Sequence, residues 1–456
     1  MAVTSAQVEK YKVIVGLGKT GLSCARYFHS TGQAFRVVDN RFSPPCLPEF
    51  EVEFPFAEVS LGNFDQQLLL NAEEIVLSPG VGLKTPEIAA AIAAGVPVTG
   101  DIDIFSRQAT APVVAVTGSN GKSTVVTLLA EMARAAGMEV GVGGNLDGRA
   151  SMPALDLLRL GPRDLYVLEL SSFQLETTQN LRAEVATILN LSEDHMDRYE
   201  SMDEYRAAKQ RIYRGCHQVV VNTDDAASEP EGETQFSRRF TYGFSEPAEQ
   251  QMGITMHERE PWLAMGEHLV MPARDVRLVG RHNLANVMAA YCLGFAAGIP
   301  ESAMIATLRE FAGLPHRCQL VRSLRGVDYY NDSKGTNVGA TLVAIQAIAE
   351  RTRGELVLIA GGIGKDQDFS PLLPSLDRFV KRVILIGKDA DKLASVIGSA
   401  VDIMRASSME EAVAEAAESA NSGDAVLLSP ACASYDMFKD FAHRGRVFAA
   451  AVEALS

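Results

Sequence analysis

The sequence predicts an α/β protein of three domains: a Rossmann-like N-terminal domain, a central domain of phosphate-loop ATPase type with a mostly parallel sheet, and a Rossmann-like C-terminal domain. Three observations carry this. Short β-branched runs alternate with helical stretches along most of the chain, which is the rhythm of doubly wound parallel sheets. Two glycine-rich turns, at 16–21 and 118–124, each follow such a run and open a helical stretch. A chain of 456 residues also exceeds what one hydrophobic core organises.

The elements follow in order. In the first segment, 12–16 reads as a strand and 21–30 as a helix. A second strand spans 35–39, and another, 74–78, is closed by Ser78-Pro79-Gly80. A helix covers 85–94. The second segment opens with 112–116, an unbroken apolar run that reads as a buried strand. The helix after it spans 125–138 and is ended by Gly137. Further strands are expected at 165–170, 185–191 and 218–222. Between 228 and 279, Gly, Pro and charged residues interrupt short alternating runs, so a small antiparallel excursion is expected there. An Ala-rich helix covers 283–297. The third segment begins near Leu314-Pro315, with strands at 356–360, 382–387 and 425–429 and an Ala/Glu-rich helix at 410–420. Domains are placed at 1–101, 102–314 and 315–456.

Composition excludes several function classes. Hydrophobic content of 47% and charged content of 22% are those of an ordinary globular protein. A net charge of −15 argues against a general nucleic-acid or membrane-surface binder. The first ten residues show neither the positive region nor the apolar region of a secretory signal, and the apolar stretch at 287–299 is too short to span a bilayer. The cysteines at 24, 46, 216, 292, 318 and 432 form no Cys-x-x-Cys pair, which fits buried free thiols in a reducing cytoplasm.

The turn Gly118-Ser119-Asn120-Gly121-Lys122-Ser123-Thr124 has the chemistry to hold a nucleoside triphosphate. Backbone N–H groups at a helix N-terminus cradle phosphate oxygens, Lys122 reaches the outer phosphates, and Ser123 or Thr124 holds Mg²⁺. Val116 stands where the general motif has its first glycine. Gly16-Leu17-Gly18-Lys19-Thr20-Gly21 fits the dinucleotide fingerprint, with Asp39 on a ribose; the same turn suits any diphosphate, including that of a nucleotide-linked sugar. Glu169 ends a strand beside the phosphate loop and is placed to ligate Mg²⁺. Glu193-Asp194-His195 with Asp197 would ligate a second metal or orient an acidic substrate. Lys209, on composition alone, is a solvated helix lysine. Asn283 and Asn286 share one face of a helix start, as base-edge readers or as caps. His316-Arg317, the polar run 331–337, Gly361-Gly362-Ile363-Gly364-Lys365 and the run 429–438 are turns or sites. All lie at segment entries or strand ends, where open α/β sheets bind ligands. No G-x-S-x-G elbow and no spaced zinc-ligand set is present.

Together, the runs 117–124, Glu169-Leu170-Ser171-Ser172, 190–195 and Gly280-Arg281-His282-Asn283 resemble the Mur ligase family, the ATP-dependent amide-forming enzymes of peptidoglycan assembly. The resemblance runs from about Lys12 to the C-terminus. The runs 331–337 and Ser429-Pro430-Ala431-Cys432-Ala433-Ser434 point to the branch that adds D-glutamate. The Asp-Asn-Pro-Arg run of the diamino-acid-adding relative is absent. The resemblance implies a monomeric cytoplasmic enzyme that uses ATP and two Mg²⁺ ions. It would join D-glutamate to UDP-N-acetylmuramoyl-L-alanine through an acyl phosphate, with no nucleic-acid or membrane partner.

Roles carried over by the resemblance are as follows. Gly18, Lys19, Thr20, Asp39, Asn40, Arg41, Gly80 and Asn145 would hold the UDP-linked substrate. Gly118, Ser119, Asn120, Gly121, Lys122, Ser123 and Thr124 would bind ATP, with Asn283, Asn286, His316, Arg317 and Asp332. Ser123, Glu169, His195 and Lys209 would bind metal. Lys122, His195 and Lys209 would act in catalysis, Lys209 occupying the position that is carbamylated in the family. Thr336, Lys365, Ser434 and Phe441 would hold D-glutamate. Lys19 departs from the family, where an apolar residue is often found. Two rival classes are a folate-polyglutamate-type ligase and a non-catalytic or NAD-dependent nucleotide module.

Overall fold

The computed structural model describes residues 11–146, 152–232, 235–278, 280–311 and 313–456. The expectation about residues 1–10 and the end of the antiparallel segment at 279 lie outside them. The expected α/β architecture of three domains is present, each built on its own sheet.

The first sheet is parallel and five-stranded, in the order Val59–Leu61, Phe35–Asp39, Lys12–Val15, Glu74–Leu77, Val98–Thr99. Val13, Ile14 and Val15 are wholly buried, as in a strand covered on both faces. The helix Lys19–Ser30 crosses this strand closely. A Cβ at Gly21 would lie 2.0 Å from the Gly16 carbonyl oxygen, so only glycine allows this approach.

The central sheet has nine strands. Its parallel part runs Arg238–Tyr242, Gln218–Asn222, Val185–Ile188, Val113–Thr117, Leu165–Glu169, Val140–Gly144. The antiparallel excursion is found as Gln251–His257, Glu260–Met265 and His268–Pro272. It extends the central sheet, because Gln251–His257 pairs parallel with Arg238–Tyr242. The expected helices appear as Lys122–Ala135 and Arg281–Ala296.

The third sheet has six strands, in the order Gln319–Leu324, Val327–Asn331, Ala425–Leu428, Leu356–Gly361, Val380–Ile386, Asp402–Arg405. Only the first, edge strand is antiparallel. The helix expected at 410–420 is Met409–Ser419, started by the Ser408 side chain accepting from Glu411 N–H.

Two different kinds of contact join the domains. The first two share one apolar cluster, in which Ile14, Phe105, Tyr166 and Ile188 all take part. Phe105 and Tyr166 meet edge to face at 5.0 Å. The apolar clusters of the third domain contain only its own residues among those described. No helix among the described residues is long and apolar enough to cross a membrane. All six cysteines are free, and all but Cys318 are buried.

Candidate active site

The strand Val113–Thr117 delivers the phosphate loop to the C-terminal edge of the central sheet. Its neighbour there is Leu165–Glu169, so the loop and Glu169 end side by side. The loop is held by the segment that follows Val185–Ile188. Ser119 N–H donates to Asn190 O (2.9 Å), Asn120 N–H donates to Asn190 Oδ1 (2.9 Å), and Ser192 N–H donates to Ser119 Oγ (3.0 Å). Gly121 starts the helix at φ +85°, and a Cβ there would meet Asn286 Oδ1 at 2.3 Å. The loop thus runs directly into the N-terminus of the helix Lys122–Ala135, the arrangement that binds phosphate. Lys122 Nζ folds back to donate to the carbonyls of Gly118 (2.8 Å) and Ser119 (3.0 Å). Burial pushes its amine below the ordinary lysine value, against the fields of Glu169 and Asp194.

Glu169 is 2% exposed, and its Oε2 is buried without a hydrogen-bond partner. An unpaired carboxylate oxygen is costly in a dry site and fits a hard cation. Lys209, read from composition as solvated, is 1% exposed. The helix Met202–Gln210 turns it inward, where Nζ donates to Gly118 O (2.9 Å) and Thr117 Oγ1 (3.2 Å). Burial, reinforced by Lys122, holds its amine well below the ordinary value. His195 sits at φ +58° and packs edge-on to Phe173 at 4.8 Å. Burial pushes its imidazole down, while the adjacent Asp194 pulls it up. No group of three or more His, Cys, Asp or Glu among the described residues is placed to hold a metal by itself. The turn 193–197 is therefore not a self-contained metal centre.

The third domain reaches the loop through polar side chains. Arg317 Nη2 donates to Ser123 Oγ at 3.1 Å. Lys365 Nζ lies 3.3 Å from Asp194 Oδ1, and Asn337 Nδ2 donates to Asp194 Oδ2 at 3.3 Å. Burial pushes the Asp194 carboxyl up, but Lys365, His195 and Lys122 outweigh it and hold it below the usual range. Between the domains lies a cavity of about 420 Å³ lined by Asn120, Thr124, Asn283, Asn286, Arg317 and Asp332, among others. Burial pushes Asp332 up to about 6, although Ser429 Oγ and Cys318 N–H donate to it. His316, at φ +62°, faces away from this cavity: its Nδ1 is 3.1 Å from Asn331 Nδ2 and its ring packs on Gly445 and Phe441.

At the other end, the first sheet presents Gly18 and Gly80 with open space where a Cβ would stand, and exposed Lys19, Asn40 and Arg41. Thr20 is half-buried at the start of its helix. Asp39 is 1% exposed and fully engaged: it accepts from Leu17 N–H, Arg41 N–H and the Arg41 guanidinium. A dinucleotide fingerprint needs that carboxylate on a ribose; here it fixes the first loop and Arg41 instead. Asn145 is exposed beside the central sheet edge, its N–H donating to Glu169 O at 2.7 Å.

Comparison with known proteins accounts for this arrangement. The family description "Mur ligase MurD-like, N-terminal domain" matches residues 10–100, "Mur ligase middle domain" matches 116–294, and "Mur ligase, glutamate ligase domain" matches 316–432. The chain belongs to the Mur ligase family. It is 49% identical over 459 residues to the UDP-N-acetylmuramoylalanine--D-glutamate ligase of Pseudomonas putida, covering 100% of both chains. It is 49% identical to the ligase of the same name from Pseudomonas aeruginosa, covering 98% of this chain and 99% of that one. Its fold is similar to that of MurF from Acinetobacter baumannii (TM-score 0.61, 16% identity, 99% and 93% coverage). It is likewise similar to the MurC ligase from Thermotoga maritima (TM-score 0.60, 18% identity, 97% and 99% coverage).

In this Mur ligase three of the four residues expected at the amino-acid end lie on neighbouring loops of the third sheet, and the fourth, Phe441, opens the helix Phe441–Glu453. Thr336 follows Val327–Asn331, Ser434 follows Ala425–Leu428, and Lys365 follows Leu356–Gly361. Ile363 and Ala433 exchange backbone hydrogen bonds, which ties two of the loops together. Phe441 is half-buried beneath Lys334, whose Nζ lies 4.0 Å from the ring centroid. Sequence reasoning missed Arg198, which joins two Mur ligase domains. It donates to the carbonyls of Pro79 (3.1 Å) and Val81 (3.4 Å) in the first domain, pairs with Glu176 at 2.6 Å and lies 4.4 Å over Phe173. A lone arginine in an acidic turn gives no signal of such a role.

Proposed function

We propose that the protein joins D-glutamate to the free carboxylate of UDP-N-acetylmuramoyl-L-alanine in cytoplasmic peptidoglycan precursor synthesis, driven by ATP and releasing ADP and phosphate. The observation that supports it most is the meeting of Lys122, Arg317 and Ser123 with Asp194, His195 and Lys365 across one interdomain site. The full-length likeness to ligases named for that reaction agrees with it. On this reading residues 1–101 hold the UDP-linked substrate, 102–314 bind ATP, and 315–456 bind the amino acid, in a monomer.

The substrate carboxylate attacks the γ-phosphorus of ATP, ADP leaves, and an acyl phosphate forms. The amine of D-glutamate then attacks the acyl carbon, loses a proton, and expels phosphate. No enzyme nucleophile is required. The first-turn N–H groups and Lys122 neutralise the triphosphate, and Arg317 approaches it from the third domain. Asn283 and Asn286 line the nucleotide cavity. Thr336, Lys365, Ser434 and Phe441 orient the amino acid, and Lys365 would leave Asp194 for a substrate carboxylate. Ser123, Glu169 and His195 would hold Mg²⁺, the orphan Glu169 oxygen being the observation that fits it. When bound, such ions would screen the approach of carboxylate to triphosphate. The Lys209 amine, made less basic by burial, is suited in its neutral form to add to CO₂ with loss of one proton, giving a carbamate anion. Turnover should then fall in CO₂-free buffer and return with bicarbonate, with the mass of one CO₂ on the intact protein; activity independent of CO₂ would remove the carbamate.

An ADP-release assay with UDP-N-acetylmuramoyl-L-alanine and a panel of amino acids tests the function. ADP should appear at speed only with both the UDP-linked peptide and D-glutamate. Equal ATP hydrolysis without either would overturn the reading.

A further inference from the structure

Among the described residues, Arg444 has the largest wholly buried side chain, at 1% exposure. It lies on the helix Phe441–Glu453, one turn beyond Phe441. Its Nε donates to Ser333 Oγ (2.9 Å), Nη1 to Cys432 O (3.1 Å) and Nη2 to Ser333 O (2.8 Å). Every one of these acceptors is neutral. Among the described residues no carboxylate stands within ion-pair distance of it. The acids whose fields reach it are Asp332 and Asp436. Asp332 is engaged by Ser429 Oγ and Cys318 N–H, and Asp436 accepts from Lys388 N–H. Burial pushes the guanidinium down to about 10, so it stays cationic at neutral pH.

A buried charge without a counter-ion is expensive, and proteins rarely keep one unless something else supplies the opposite charge. The surroundings say what does. Ser333 precedes Thr336 on one loop, Cys432 precedes Ser434 on the next, and Ser333 Oγ donates onward to Phe441 O at 2.8 Å. Arg444 thus binds together the three segments that carry Thr336, Ser434 and Phe441. Lys334 stands on the Ser333 loop, and Lys365 stands on the neighbouring loop after Leu356–Gly361, which Ile363 and Ala433 tie to the Cys432 loop.

We propose that Arg444 is a positioning and specificity-determining residue: its buried, unpaired charge makes the amino-acid site selective for an acceptor with two carboxylates. It acts through the Ser333 and Cys432 segments. This rests on the amino-acid reading of the site given above.

The test compares D-glutamate with its two mono-amides, D-glutamine and D-isoglutamine, in ADP release by the full chain. Wild type should prefer the diacid over at least one amide. Arg444→Met should lower kcat/KM for D-glutamate about ten- to a hundredfold and the disfavoured amide far less, so the preference collapses. Arg444→Lys keeps the charge and should keep the preference even where both rates fall. It also decides the matter if the methionine variant does not fold. An equal loss on acid and amide in Arg444→Met would overturn the inference. So would a lost preference in Arg444→Lys, or no preference in the wild type. Absence of D-glutamate-dependent ADP release in the wild type would instead overturn the proposed function.

Discussion

On the proposed mechanism, Lys122 is the residue on which the chemistry most depends. It is parked on the carbonyls of Gly118 and Ser119, within reach of any phosphate the loop accepts. Lys122→Ala should lower turnover at least about a hundredfold, by analogy with loss of one preorganised electrostatic contact. Calorimetric binding of the UDP-linked substrate should stay nearly unchanged, since the site proposed for its UDP part is on the first domain; equal loss of both would contradict the assignment. His282, beside the nucleotide cavity, is pushed down to about 4, chiefly by burial and then by Arg317. The unfolded chain protonates this imidazole near pH 6.5 and the folded one only near 4, so its contribution is present above 6.5 and lost as pH falls toward 4. Removing the group by His282→Gln should therefore flatten the acid-side loss of unfolding free energy of the apoprotein by up to about 3 kcal/mol. An unchanged pH slope would exclude His282 as its source. At this scale the sequence was uneven. The loop residues and Glu169 were legible because motif and strand end coincide. The burial of Lys209 and Arg444 was not, because a cation on a polar helix looks solvated until the tertiary fold turns it inward.

Elements were legible where burial is complete on both faces. Val113–Thr117 and Leu165–Glu169 read as unbroken apolar runs for that reason. Val140–Gly144 escaped notice because three of its five residues are glycine, which erases the apolar pattern. The edge strand Gln319–Leu324 escaped because none of its residues is buried and Gln319, Arg322 and Ser323 break up its apolar pattern. The junction of loop and helix at Gly121 is tightly constrained. Gly121→Ala puts a Cβ at positive φ and against Asn286, and should cost at least about 1–3 kcal/mol in denaturant unfolding while weakening nucleotide binding. A variant with wild-type stability would show that the helix start can shift. Asn337 caps the helix Val338–Ala349 by accepting from Ala340 N–H at 2.8 Å, and it also touches Asp194. Asn337→Ala should cost about 0.5–2 kcal/mol and raise KM for the amino acid; loss of stability with KM untouched would leave it a cap alone.

Across the whole molecule, the division of contacts predicts how the domains move. A continuous apolar cluster holds the first two domains together, so they should behave as one body. The third is docked by polar pairs such as Arg317–Ser123 and Lys365–Asp194, which salt weakens as the screening length falls from about 10 Å at 0.1 M to about 3 Å at 1 M. X-ray scattering should show expansion at high salt that ATP with the UDP-linked peptide reverses; a salt-independent radius of gyration would contradict polar docking. On the proposed mechanism, one carboxylate oxygen is phosphorylated before the amide forms. UDP-N-acetylmuramoyl-L-alanine labelled with ¹⁸O in its carboxylate, turned over with ATP and D-glutamate, tests it most directly by mass analysis of the released phosphate. The mechanism predicts that each phosphate carries one oxygen from the labelled carboxylate. Unlabelled phosphate, with both labelled oxygens retained by the peptide or lost to water, would contradict it.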